Sequence, residues 1–246
     1  MQEKSIKENR AGRRSVKQWI ALGLVIIGIP AVLLLSWQMG DRKFYLTSML
    51  VLLCAVAAFW LSFERRRPKT REMVLIAVMC AIAVASRAAF IMFPQFKPIV
   101  GIVMICGMAL CPQAGFMTGS ISAFVSNFIF GQGAWTPWQM FAFGLAGLLA
   151  GYLCRAGVMT SGRRLLTALI GGGMILVLIG PILDTCTLFT MSSVINTESV
   201  GTVYLSGLPF NAVHGAAVFL TLLILAHPMI EKLDRIKVKY GLMEAE

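Results

Sequence analysis

Apolar residues recur along this chain in runs about as long as a bilayer is thick, separated by short polar breaks. A helix needs about 20 apolar residues to cross the hydrocarbon. That criterion predicts spans over 18–38, 44–63, 72–92, 98–111, 113–130, 138–155, 164–187 and 207–229. The stretch 98–111 is short for a crossing, so a tilted, broken or partly re-entrant helix is expected there. Trp19–Trp37 follows a basic segment, as the core of a signal peptide does. It is longer than such a core and no A-x-A-like site follows, so a retained helix is expected. No internal repeat stands out, which argues against an inverted-repeat secondary transporter. The expected fold class is an all-α polytopic membrane protein.

Charge gives the spans a direction. Of the 22 Lys and Arg, all but Arg42, Lys43, Arg87 and Lys97 fall in four clusters, at 4–17, 65–71, 155–164 and 232–239. Short cytoplasmic segments retain Lys and Arg. Placing the four clusters inside makes the sides alternate consistently, with both termini cytoplasmic and 40–43, 93–97, 130–137 and 188–206 outside. The expected organisation is a basic N-terminus (1–17), a two-helix transmembrane appendage (18–63), a basic linker (64–71), a six-helix membrane domain (72–230) and a cytoplasmic tail (231–246).

Composition agrees with a chain dissolved in lipid: 58% hydrophobic and 13% charged, where a soluble domain carries about a quarter charged. The net charge of +11 raises nucleic acid as a partner, but the charge is dispersed at helix ends rather than gathered on one basic face, so none is expected. The six Cys form no CxxC pair and read as small apolar filler rather than a metal or redox site. His214 and His227 are the two histidines, and HExxH, G-x-S-x-G, Walker A and paired intramembrane carboxylates are all absent from the sequence. No enzyme chemistry is expected.

The polar residues inside or beside the spans are few and informative. Arg87 and Asp184 both lie near the outer ends of their spans, where buried charge needs a partner or a cavity. Three uses are open: pairing with each other, snorkelling of Arg87 to the outer interface, or contact with a polar ligand. The loop Gly131-Gln132-Gly133-Ala134-Trp135-Thr136-Pro137-Trp138-Gln139 is glycine-rich but lacks the lysine of a phosphate loop. Its tryptophans suit either interface anchoring or stacking on a planar solute; its amides, with Asn127 nearby, suit orientation of that solute. Gln95 in the preceding outer loop and Asn211 in the last span have matching chemistry. On the first helix of the six, Ala77, Ala81 and Ala85 recur at i, i+4 and i+8. Such a small-residue stripe permits close helix approach in lipid, within this bundle or against another membrane subunit.

These residues give the chain a resemblance to the S components of energy-coupling factor (ECF) transporters. The stripe Ala77, Ala81, Ala85 resembles that family's AxxxA docking signature, the six-helix hydrophobic unit has both ends inside, and Gly115–Gly151 resembles a recurrent pattern of the family. The resemblance covers about 70–230 and implies a six-helix S-component-like core preceded by two extra helices. It implies capture of a vitamin outside the cell membrane and delivery inward with a transmembrane T component and two ABC ATPases. The partners would use the ATP; this chain would bind no cofactor of its own. The ligand site would draw on Arg87, Gln95, Asn127, Gln132, Trp135, Trp138, Gln139, Asp184 and Asn211, and the docking face on Ala77, Ala81 and Ala85. The Asn127–Gln139 region leans towards cobalamin, with riboflavin and a queuosine precursor also suited. The competing readings are an ion-coupled carrier built on Arg87 and Asp184, and a polytopic protein outside transport.

Overall fold

Helix punctuation along the chain is mostly local chemistry. The computed structural model describes residues 49–50, 52–57, 70–192 and 195–241, and the chain divides into two units, Met1–Pro68 and Lys69–Glu246. In the first unit the described residues are helical; the rest of the appendage expected at 18–63 lies outside the described residues. In the second unit α1 spans Thr70–Ala89, α2 Ile99–Ala109, α3 Pro112–Phe130 and α4 Thr136–Arg155. Then come α5 (Arg164–Met174), a π-helical turn (Ile175–Ile179), α6 (Gly180–Met191) and α7 (Thr197–Tyr240). No strand occurs among the described residues, so the chain is all-α.

Pro112 opens α3, where its missing N–H costs nothing, and the Cys111 Sγ accepts from the Ala114 N–H at 3.3 Å. Asn196 and Ser199 cap α7 reciprocally. The π-turn precedes Pro181. A proline there removes one i→i−4 bond and crowds the preceding turn, and a widened turn absorbs both.

Four helical stretches of the described residues are long and apolar enough to cross a membrane: Thr70–Ala89, Thr136–Arg155, Arg164–Met191 and Thr197–Tyr240. The short span expected at 98–111 is α2. Its 11 residues rise about 16 Å, roughly half the hydrocarbon thickness. All of them are buried, so α2 is enclosed by protein rather than lipid. The last helix departs most from expectation. It covers 44 residues, taking in much of the expected outer loop 188–206 and the first ten residues of the expected tail. Gly201 falls in the expected loop 188–206, and Gly207 and Pro209 fall at the very start of the expected span 207–229. Inside a lipid-facing helix they are tolerated, because no water competes for the freed backbone groups and neighbouring helices satisfy them.

The core is a backbone-to-backbone contact of α2, α3 and α4. A methyl group on Gly107 would lie 2.0 Å from the Gly147 carbonyl oxygen, and one on Gly119 would lie 2.4 Å from that of Phe143. Small residues of this kind let helices touch where lipid supplies no hydrophobic drive. Around this core α1 packs on α2 and α3, α7 packs on α2, α5 and α6, and α6 also reaches α4. At one end of the bundle lie Arg71, Arg155, Arg164 and the last turns of α7. There the Lys237 ammonium donates to the Ala109 carbonyl, closing the C-terminus of α2. The opposite end carries 90–98, 131–135 and the start of α7, and it holds the polar side chains of interest.

Candidate ligand cavity and alanine groove

The turn between α3 and α4 is shaped by its glycines. Gly131 ends α3 at φ 99°, a conformation open to glycine, and a methyl group on Gly133 would collide with the Trp135 ring at 2.5 Å. Trp135 is thereby folded back beside α4 while remaining 44% exposed. Across from it, Gln95 has φ 59°, the single positive φ among the described non-glycine residues. Such a backbone costs on the order of 1 kcal/mol and persists where surrounding structure enforces it.

Between these segments and helices α6 and α7 lies a cavity of about 450 Å³, within the range of sites for drug-sized ligands. Gln95, Trp135 and Gln139 line one part of it; Asp184, Asn211 and His214 line another. Thr187, Ser206 and Phe210 add further wall. The Asn211 Nδ2 donates to Asp184 Oδ2 at 2.7 Å. Beside the pair, Thr185 Oγ1 and the Tyr204 hydroxyl are 2.7 Å apart, tying α6 to α7.

A second polar cluster sits next to the cavity and is closed. The Arg87 Nη1 donates to Ser126 Oγ at 2.5 Å and to Asn127 Oδ1 at 2.8 Å. The Asn127 Nδ2 donates to Thr136 Oγ1 at 3.1 Å and to Gln139 Oε1 at 2.8 Å. Thr136 Oγ1 donates to Gln132 Oε1, and Gln132 Nε2 donates to the Phe124 carbonyl, each at 2.9 Å. The Arg87 guanidinium and the Lys97 ammonium lie 4.3 and 4.7 Å from the Phe130 ring centroid, within cation–π range. Burial first, and then the neighbouring Arg87 charge, push the Lys97 ammonium below the usual lysine range.

The nine residues expected at a ligand site therefore divide. Gln95, Trp135, Gln139, Asp184 and Asn211 line the cavity. Arg87, Asn127 and Gln132 direct their side-chain hydrogen bonds into the closed network, with Gln139 as its link to the cavity. Trp138 is buried in edge contact with Phe189, and its Nε1 has no partner. Arg87 and Asp184 bond different partners and do not pair. His214 and Phe210 fall in the expected span 207–229 and Ser206 in the expected loop 188–206, and none of the three is among the nine. The helical register of α7, with Gly207, Asn211 and His214 at spacings of four and three, is the signal that connects them.

Ala77, Ala81 and Ala85 are exposed. With Val84, Ile121 and Val125 among others they line a groove of about 560 Å³ between α1 and α3. The buried face of α1 instead carries Leu75, Met79 and Ala83, so the stripe is not consumed by packing within this bundle.

A family model described as "ECF-type riboflavin transporter, S component" matches residues 67–234, the unit that holds both cavity and groove. The chain belongs to this family of ECF S components. No curated protein and no solved structure gives a significant match. As an ECF S component the chain is a multi-pass membrane transporter subunit rather than an enzyme, and its family works with a T component and ABC ATPases. The matched segment begins at the basic linker and ends within α7, so the expected appendage at 18–63 lies outside it.

Proposed function

We propose that this S component captures riboflavin in the cavity bounded by Trp135, Gln139, Asp184 and Asn211, from the outside, with the basic end cytoplasmic. The observation that carries the reading is the juxtaposition of a half-exposed indole with an underused carboxylate–amide pair on one drug-sized cavity. Stacking supplies affinity for a planar ring, and the polar pair orients its substituents. The family description favours a flavin among planar vitamins. Cobalamin is the second reading. The exposed rim at Trp135 and Gln95 gives a larger ring a surface to rest on, although its bulk exceeds what the cavity encloses.

Delivery would proceed by docking of the groove at Ala77, Ala81 and Ala85 onto the T component, with two ABC ATPases hydrolysing ATP and this chain holding no cofactor. The cytoplasmic basic clusters fit the orientation, because such segments are retained on that side.

Two measurements test the assignment. The chain, purified in detergent after expression without partners, is titrated with riboflavin and with cobalamin, and its co-purified small molecules are identified by mass spectrometry. Saturable one-to-one riboflavin binding is expected; selective cobalamin binding would transfer the site to the second reading, and binding of neither would sink both. Ala81→Trp should abolish uptake in cells that supply the partners while leaving vitamin binding by the purified chain unchanged. Loss of both would assign the stripe to packing.

A further inference from the structure

The charge of the cavity wall restricts what its ligand carries. Of the lining residues, Asp184 alone bears a formal charge, and neither lysine nor arginine is among them. The cations at this end of the bundle, Arg87 and Lys97, lie over the Phe130 ring, and Arg87 also donates to Ser126 and Asn127.

Asp184 is fitted into place. Asn211 Nδ2 donates to its Oδ2 at 2.7 Å. A methyl group on Gly207 would lie 2.6 Å from Oδ1 and 2.7 Å from Oδ2, and one on Gly180 would lie 2.5 Å from the Asn211 Cγ. Glycine on both helices is therefore what lets carboxylate and amide meet. The amide occupies one of roughly four acceptor positions on the carboxylate. A carboxylate offers acceptors only, so the complementary ligand groups are O–H and N–H donors. A phosphate or carboxylate on the ligand would meet like charge with no cation in the wall to offset it, and such juxtapositions discriminate strongly.

We infer that Asp184 makes the cavity select the neutral, hydroxyl- or N–H-bearing form of its vitamin and exclude the phosphorylated form. This rests on the cavity being the riboflavin site. The pair riboflavin and riboflavin 5′-phosphate tests it, because the two differ by one phosphate.

Affinities of both compounds would be measured by fluorescence titration of the full chain as wild type, Asp184→Asn and Ser206→Lys. Wild type should bind the phosphate ester at least about tenfold more weakly than riboflavin. Asp184→Asn should bring the two affinities to within about threefold. Ser206→Lys, at an exposed position of the wall, should narrow the gap by raising affinity for the ester, and it carries the test if Asp184→Asn does not fold. Equal binding by wild type, or a gap unchanged by the substitutions, overturns the inference while leaving riboflavin capture standing. Binding of neither compound by wild type overturns the substrate reading and this inference together.

Discussion

At one end of the bundle two polar clusters lie side by side, one closed and one open. In the closed cluster Arg87, Ser126, Asn127, Thr136, Gln132 and Gln139 bond one another across α1, α3 and α4, and Asn127 is fully buried. In the open cluster Asp184 and Asn211 share one hydrogen bond across α6 and α7 on the wall of a cavity. The residue types are alike: each pairs one charge with amide side chains, three in the closed cluster and one in the open. The difference lies in how much bonding capacity remains. A buried network whose members bond one another fixes helix positions, here with the Arg87 Nε left as a buried donor without a partner. A polar pair with capacity to spare, facing an enclosed volume, recognises whatever brings the missing partners. The helices beneath repeat the division. The closed cluster stands on α3 and α4, locked by glycine contacts at main-chain distance. The open one stands on α6 beyond a π-turn and on a helix that carries Pro209 in its interior.

The substitution with the largest expected effect attacks the closed cluster. Arg87→Met keeps the apolar stem and deletes the guanidinium, leaving the Asn127 Oδ1 buried without its donor. An orphaned buried acceptor together with a lost charged hydrogen bond costs about 3 kcal/mol. Thermal unfolding in detergent should show the loss, whereas Asp184→Asn should unfold close to wild type because its amide can still pair with Asn211. Equal destabilisation by the two would erase the distinction between a structural and a recognising cluster.

How much of this was legible in the sequence follows from the same contrast. Helix positions were, because apolar length reports directly on lipid: α4 and the start of α5 lie within about two residues of their expected bounds, and α3 does so as a helix although it is not among the four stretches long and apolar enough to cross a membrane. The end of the bundle carrying the site was legible from the clustering of charge at the other end. The extent of α7 was not, since glycine and proline signal breaks in water but lose much of that meaning among packed helices. Nor was the division of the site residues. Asn127 and Gln139 are both amides near a glycine-rich turn. Which spends its donors on Arg87's network and which reaches the cavity depends on how α3 rotates against α4. That rotation is set by contacts such as the Gly119 backbone against Phe143, which no local pattern announces. The choice among the uses left open for Arg87 and Asp184 was hidden for a related reason: shared depth in the membrane places two residues in one layer, not on neighbouring helices. Arg87 is on α1, which packs on α2 and α3, and Asp184 is on α6, which packs on α7 and α4.

An intermediate effect belongs to the cavity rim. Trp135 is half exposed and held by the Gly133 contact rather than by a hydrogen-bonded network, so truncation removes little that supports the fold. Trp135→Ala should weaken riboflavin binding by about 1–3 kcal/mol, the worth of an aromatic ring stacked on a base, with unfolding temperature unchanged. An unchanged affinity would assign this indole to the membrane interface and leave recognition to the polar pair alone.

The smallest effect is expected at Trp138, which belongs to neither cluster although it sits three residues from Trp135 and beside Gln139. The residue is 7% exposed, and its ring packs edge-on against Phe189 at 5.9 Å between centroids. Its Nε1 donates to nothing. A buried N–H without an acceptor already carries its desolvation cost in the native state. Trp138→Phe removes that unpaired donor and keeps an aromatic ring against Phe189, at the expense of a void where the second ring stood. The two terms oppose each other at about 1–3 kcal/mol each, so stability should move by less than about 1 kcal/mol and riboflavin affinity should stay at the wild-type value. A marked loss of binding with the fold intact would mean that the indole N–H finds its acceptor on the ligand, extending the open cluster from α6 and α7 onto α4.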